Sequence, residues 1–225
     1  MLTEVLCAWW KSEVTVERPI LFSAPMVRAI IDGTKTQTRR ALRPDLFISS
    51  GGAVVRMVSA GPATTGIQDA HCPYWREPGD RLWVRETWAR DDEDGALMYR
   101  ADLGRDGCAD AWEQGRIEGV PRYRWRPSIH MPRWASRITL EVTGVRVERL
   151  QDISAGDCIS EGIGFDVRYG GHCLPDGSHF HASDPRVSYW SLWDAINGAG
   201  SVERNPLVWV VAFRKAHNVG NEGRR

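Results

Sequence analysis

The chain has 225 residues, 42% of them hydrophobic and 26% charged, a balance that supports a globular core. Lys plus Arg and Asp plus Glu both number 29, which excludes a histone-like electrostatic grip on long nucleic acid but leaves room for a local basic patch. No window approaches the roughly 20 continuous apolar residues of a membrane span, and residues 1–17 lack the basic-then-apolar pattern of a secretion signal, so no membrane partner is expected.

Residues 1–17 carry little pattern and are expected to be a disordered extension or the trace of an upstream start codon. Organised sequence begins at residue 18. Ser23 followed by Ala24-Pro25 is a helix start, with Met26, Ala29 and Ile30 at helical spacing and Gly33 as the stop, so a short helix is predicted over 24–32. Residues 36–42 read as a strand entering a sheet. Residues 48–79 are rich in Gly, Ser and Pro and read as a long loop or small insertion. A strand is predicted over 81–88. Leu82, Val84, Glu86 and Trp88 would then share one face, and a carboxylate on such a face needs a partner.

A short strand is expected near 96–101, followed by a polar, Pro-rich connection to 132. Residues 136–150 give the longest strand signal. Its apolar positions switch from even (Ile138, Leu140, Val142) to odd (Val145, Val147), which predicts a bulge at Gly144. Residues 154–161 read as a short helix with Ser154 as N-cap, and 164–184 as a loop. Val187, Trp190, Trp193 and Ile196 mark an amphipathic helix ending at Gly198, and 207–213 a buried strand. The expected organisation is one domain over 18–215, with insertions near 43–76, 101–132 and 164–186 and a flexible tail over 216–225. The fold class is α+β, a barrel-like sheet with short flanking helices.

Five scattered cysteines without a Cys-x-x-Cys motif predict a reduced, cytoplasmic chain. His71, Cys72, His172, Cys173, His179 and His181 carry zinc-ligating atoms, but their spacings match no standard finger. They read as scattered loop residues, and neither metal nor cofactor is expected. Eleven tryptophans belong in a core or in a pocket that stacks flat ligands. Trp134, in a loop beside Arg133 and Arg137, is the first choice for a stacking residue; a packed corner is the other use of the same residues.

The densest chemistry lies between Gly33 and Arg40. Lys35 follows the helix stop, and Thr38 stands three residues on. A desolvated Lys can take the proton of a hydroxyl nucleophile. Basic residues also gather at helix C-termini for purely electrostatic reasons. Glu86 beside Arg85 is a second candidate pair, suited either to a pocket wall or to a buried charge pair pinning the strand, Arg40 being another possible partner.

The pattern Gly33-x-Lys35-x-x-Thr38-x-Arg40 resembles the signature of the ASCH domain, a branch of the PUA-like superfamily, with Thr38 where that signature has Glu. The order of the helix and strands over 18–43, 77–100 and 134–215 is similar to an ASCH barrel. Segments 18–40, 72–88 and 125–150 resemble a phage and prophage subgroup. A PUA-like small β-barrel with long loop insertions is the fold this implies, in the bacterial host cytoplasm if phage-encoded. At the departing position the chain is similar to bacterial N4-acetylcytidine amidohydrolases, which also carry Thr. That likeness implies a catalytic set of Lys35 as base, Thr38 as nucleophile and Glu161 as orienting group or proton donor. Glu161 follows the Leu150-Gln151-Asp152-Ile153-Ser154 run; taken alone, it is an ordinary helix end before Gly162. Gly33, Arg40, Arg85, Glu86, Trp134 and Arg137 are the candidate substrate-binding residues. The implied partner is a modified nucleoside or nucleotide, or RNA; a non-catalytic binding module and an ASCH-type ribonuclease are the alternatives.

Overall fold

The computed structural model describes residues 16–43, 45–50, 53–61, 64–69, 72, 79–91, 94–103, 124–168, 170–174 and 179–216. The extension up to residue 15, the tail beyond 216, His71 and most of the expected insertion over 101–132 lie outside these residues.

A five-stranded mixed sheet forms the centre, in the order β1 (Glu17–Leu21), β6 (Arg81–Arg85), β9 (Thr139–Arg149), β13 (Leu207–Lys215), β2 (Gln37–Ala41). β1 and β6 run parallel; the other neighbours are antiparallel. β13 is an interior strand, apolar at successive positions because both of its faces are covered. Trp209, Val211 and Phe213 enter a core with Ile20, Phe22, Leu82, Val84, Leu140 and Val142, on which Val27 and Ile30 of helix α1 (Ala24–Ile31) pack. Val208 and Val210 enter a second core with Leu150, Ile153, Cys158, Ile163, Tyr189 and Trp193. Helices α2 (Ala155–Ser160) and α3 (Pro185–Asn197) cover that side.

The fold is therefore α+β, with a mixed sheet and few helices. Among the described residues the backbone ladder stays open between its edge strands β1 and β2. A side chain spans the gap: Arg40 Nη2 on β2 donates to the Leu21 carbonyl at the end of β1 at 2.6 Å.

The bulge falls where the hydrophobic switch placed it. Ala212 pairs with Gly144 and Phe213 with Val142, so Thr143 is the extra residue. Leu140 and Val142 before the bulge and Val145 and Val147 after it all reach the first core.

Four expectations require correction. The region read as a loop over 48–79 contains most of a three-stranded sheet: β3 (Leu46–Ile48), β4 (Val54–Gly61) and β5 (Thr64–Asp69). Its β-branched residues (Val54, Val55, Val58, Thr64, Thr65, Ile67) outweigh the turn formers. The loop over 164–184 likewise folds into β10 (Gly164–Asp166), β11 (Gly171–Cys173) and β12 (His179–Ala182). The strand predicted over 81–88 ends at Arg85, and Trp88–Arg90 starts a separate strand, β7, paired with β8 (Leu97–Tyr99). Even so, Leu82, Val84, Glu86 and Trp88 are all buried, as the alternation required. In α3 the buried stripe is Pro185, Ser188, Tyr189 and Trp193, while Val187 and Ile196 are exposed. Tyr189 and Trp193 are the side chains that meet Val208 and Val210, which rotates the helix away from the expected stripe.

Candidate active site

Two helix ends build the site. Gly33 adopts φ +76°, a left-handed conformation that terminates α1 without a Cβ penalty. The amides of Thr34 and Lys35 then both bond back to the Ala29 carbonyl, at 2.9 and 3.0 Å. Thr36 N donates to the Ser160 carbonyl at 2.8 Å, which fastens this turn to the end of α2. At that end Ser154 caps α2 by accepting from Asp157 N, and Gly162, at φ +99°, reverses the chain. Glu161 is held at the helix C-cap between them.

Lys35 is buried, and its Nζ donates to the Glu161 carbonyl and to Glu161 Oε2, both at 2.7 Å. One ammonium thus satisfies a carbonyl at the helix end and a carboxylate, two acceptors that favour a cation. The Phe22 ring lies 5.8 Å from Nζ. Burial lowers the Lys35 pKa from its ordinary value, while the Glu161 carboxylate works in the opposite direction. The two residues are 126 positions apart in sequence.

The other Glu161 oxygen accepts from Arg39 Nη1 at 3.2 Å. Arg39 also donates from Nε and Nη2 to Glu148 Oε1 at 2.9 and 2.7 Å, lies 3.2 Å from Asp157 Oδ2, and covers the Tyr189 ring. Arg146 bridges Glu148 and Asp157 from outside, and Gln37 Nε2 donates to Asp157 Oδ1. Lys35, Arg39 and Arg146 are thereby matched by Glu148, Asp157 and Glu161. Burial pushes the Tyr189 hydroxyl well above its ordinary pKa, with Glu161 adding to the effect.

Arg39 was missed by sequence reasoning, because the motif counts through Thr38 and Arg40 on the opposite face of β2. Its signal was the strand period combined with a sheet buried on both sides. Arg39, Val210 and Arg146 stand in register across three strands, so acids had to gather on that row.

Thr38 is buried opposite Val211. Among the described residues its hydroxyl makes no hydrogen bond to Lys35 or Glu161. Arg40, two residues on and on the same face, lies 5.5 Å from the same Phe22 ring that faces Lys35. Its Nε is buried and has no hydrogen-bond partner among the described residues. Beside it opens a cavity of about 240 Å³, lined by Leu21, Ser23, Pro25, Met26, Arg40, Leu192 and Ile196.

Arg85, Glu86, Trp134 and Arg137 gather elsewhere, around the end of β6. The partner of Glu86 is Arg137, not Arg85 or Arg40: Arg137 Nε and Nη2 grip its two oxygens at 2.9 and 3.0 Å. Arg137 also reaches Asp102 at 2.7 Å and covers the Tyr99 ring. Burial raises the Glu86 pKa and Arg137 opposes the rise. Arg85 instead donates to the carbonyls of Met131 and Ile129, at 3.0 and 2.6 Å. Trp134 is 65% exposed and meets the edge of buried Trp88, which Arg126 covers. Arg85 and Arg133 both lie over Trp83. A backbone bond from Phe22 N to the Arg85 carbonyl, 3.2 Å, connects this cluster to the first.

Among the described residues no group of three or more His, Cys, Asp or Glu is placed to hold a metal ion. His172 Nδ1 faces the Gly164 carbonyl at 3.2 Å and its ring stacks edge-on with Phe165; Cys72 is buried. Among the same residues no helix is long and apolar enough to cross a membrane. Comparison of the chain with protein-family models, with curated proteins and with solved structures gives no match.

Proposed function

We propose that residues 18–215 are a single ASCH-type, PUA-like domain that hydrolyses the amide of a modified nucleoside or nucleotide in the cytoplasm, by cleavage of the N4-acetylcytidine type. One observation carries this reading: Lys35 and Glu161, 126 residues apart, meet in a buried 2.7 Å ion pair. The side-chain bond from Arg40 to the Leu21 carbonyl supports a sheet curled toward a barrel.

In this mechanism the neutral amine of Lys35, the form that burial favours, takes the proton of the Thr38 hydroxyl. Thr38 Oγ1 attacks the acetyl carbonyl, forming an ester while the carbon–nitrogen bond breaks. The proton held by Lys35 passes to the leaving amine, giving cytidine. Water, deprotonated by the same Lys, then cleaves the ester to acetate and restores Thr38. Glu161 keeps Lys35 in place and stabilises its charged form between the two transfers, with Arg39 fixing the second Glu161 oxygen. The acyl end of the substrate approaches from the cavity beside Arg40, on the face of β2 that carries Thr38. Hydrogen bonds between base and nucleophile commonly tighten only in the substrate complex.

Purified protein with N4-acetylcytidine, followed by mass spectrometry, tests the reading. Deacetylation lost in Lys35→Ala and Thr38→Ala, both folded, is the expected result; no deacetylation by folded wild-type protein refutes it. A second reading, a non-catalytic module for RNA or a modified base, is favoured by one feature. Exposed Trp134 follows Arg133 in sequence and meets Trp88, which Arg126 covers, a basic and aromatic surface suited to a stacked base and its phosphate. Binding of short RNA by a chain that deacetylates nothing, weakened in Trp134→Ala, would select that reading.

A further inference from the structure

The cavity beside Arg40 has a composition that decides what it holds. Leu21, Pro25, Met26, Leu192 and Ile196 supply aliphatic or thioether walls, and Arg40 is the one charged side chain among its lining residues. None of those residues is aromatic, and none is Asp, Glu, Asn or Gln. A nucleobase is read by stacking on rings and by several polar groups matched to its edge; these walls offer no ring, and only Ser23 and Arg40 among them are polar. An alkyl chain asks only for apolar contact.

The open state of the cavity leaves apolar surface in water. Leu21 is 41% and Ile196 56% exposed, and both belong to its lining. The polar end is the Arg40 guanidinium, whose Nη2 is engaged by the Leu21 carbonyl. A ligand oxyanion at the guanidinium and a hydrocarbon tail along Met26, Leu192 and Ile196 would match this lining. At about 30 Å³ per heavy atom, the share of a water molecule, the 240 Å³ volume holds roughly eight such atoms, far more than an acetyl group supplies.

We infer that the cavity lined by Met26, Arg40, Leu192 and Ile196 is an acyl-chain site, and that the ligand of this chain carries an aliphatic acyl group of about four to eight carbons. The inference rests on the hydrolase reading for the bond that is cut, but not for the binding itself.

Straight-chain carboxylates from acetate to octanoate, titrated calorimetrically into the full chain, probe the cavity without any catalysis. Each buried methylene is expected to tighten binding about two- to fourfold, levelling off near six to eight carbons. Ile196→Trp, a change at a half-exposed position, is expected to remove this length dependence by filling the cavity. Ile196→Ser, which keeps the space but removes an apolar wall, is expected to flatten it. Equal affinity for acetate and hexanoate, or a length dependence untouched in folded Ile196→Trp, overturns the inference. The same series as N4-acylcytidines separates the two claims. Carboxylates bound by length with no acylcytidine cleaved leave the cavity assignment standing without the hydrolase. Cleavage indifferent to chain length, with no length-dependent binding, does the reverse.

Discussion

Replacing Glu161 by Gln is predicted to be the most damaging single isosteric change in the site. The carboxylate binds Lys35 at 2.7 Å and Arg39 at 3.2 Å, and the side chains of both cations have no solvent exposure. Gln keeps the volume and one acceptor oxygen but removes the charge. Arg39 retains Glu148 and Asp157, whereas Lys35 keeps only neutral oxygens at position 161 and no anion. Breaking a buried pair from one side costs about 3–5 kcal/mol, because the remaining ion stays desolvated. For a chain of this size that is a fall in Tm of about 6–20 °C. Lys35→Met should cost less, about 1–2 kcal/mol, since Glu161 keeps Arg39 and an ammonium whose burial disfavours its charge is gone. The pH dependence has a definite sign. Lys35 in the folded chain has a pKa below its unfolded value of 10.5, so between the two the unfolded state binds more protons and stability rises with pH. Removing Glu161 lowers the folded value further and widens that window. The deficit of Glu161→Gln relative to wild type should therefore shrink between pH 7 and pH 10. Urea melts of both variants at the two pH values check this. A Glu161→Gln chain as stable as wild type, or less stable than Lys35→Met at neither pH, would refute the reasoning.

Three further outcomes follow from the same geometry. Arg137→Ala strands buried Glu86, whose folded pKa already lies above 4.5; the folded state then binds the extra proton, so this variant should lose stability as pH rises from about 4.5, by about 3 kcal/mol at pH 7 in urea melts. Cys158 is fully buried with its thiol pushed up to about 12, so a thiol reagent at pH 8 should leave it unlabelled in folded protein and modify it only in denaturant, as read by peptide mass mapping. Gly162→Ala forces a side chain into φ +99° behind Glu161 and should cost about 1–2 kcal/mol in a thermal melt.

The parts legible in the sequence were those in which one residue type answers one local demand. Gly33 and Gly162 marked helix ends, Ser154 a cap, and the parity switch around Gly144 a bulge. The 81–88 alternation placed Glu86 in the core, yet its partner Arg137 comes from a different segment, and nothing local distinguishes it from Arg85. The same limit hid Arg39. Its acids, Glu148, Asp157 and Glu161, come from β9, from α2 and from the turn after α2, and meet only through tertiary packing. Residues 48–79 looked like a long loop or small insertion because they are rich in Gly, Ser and Pro, and 164–184 like a loop bearing Gly and His, whereas short antiparallel strands need only a few β-branched or aromatic residues between turns. The α3 stripe held at Trp193 and in part at Trp190 but not at Val187 and Ile196, which are as apolar as the residues that reach the core, and periodicity alone cannot rank them. The pairing of Lys35 with Glu161 was anticipated through resemblance; spacing across 126 positions carries no such information.

The central claim, that Thr38 is a nucleophile served by Lys35, is tested most directly by acid-quenching the protein during a single turnover of N4-acetylcytidine and mapping the peptides by mass spectrometry. The account predicts one acetyl group on the peptide containing Thr38, appearing and decaying with turnover and absent from Lys35→Ala. Full turnover in Thr38→Ala, or deacetylation with no adduct at any time point, would contradict it.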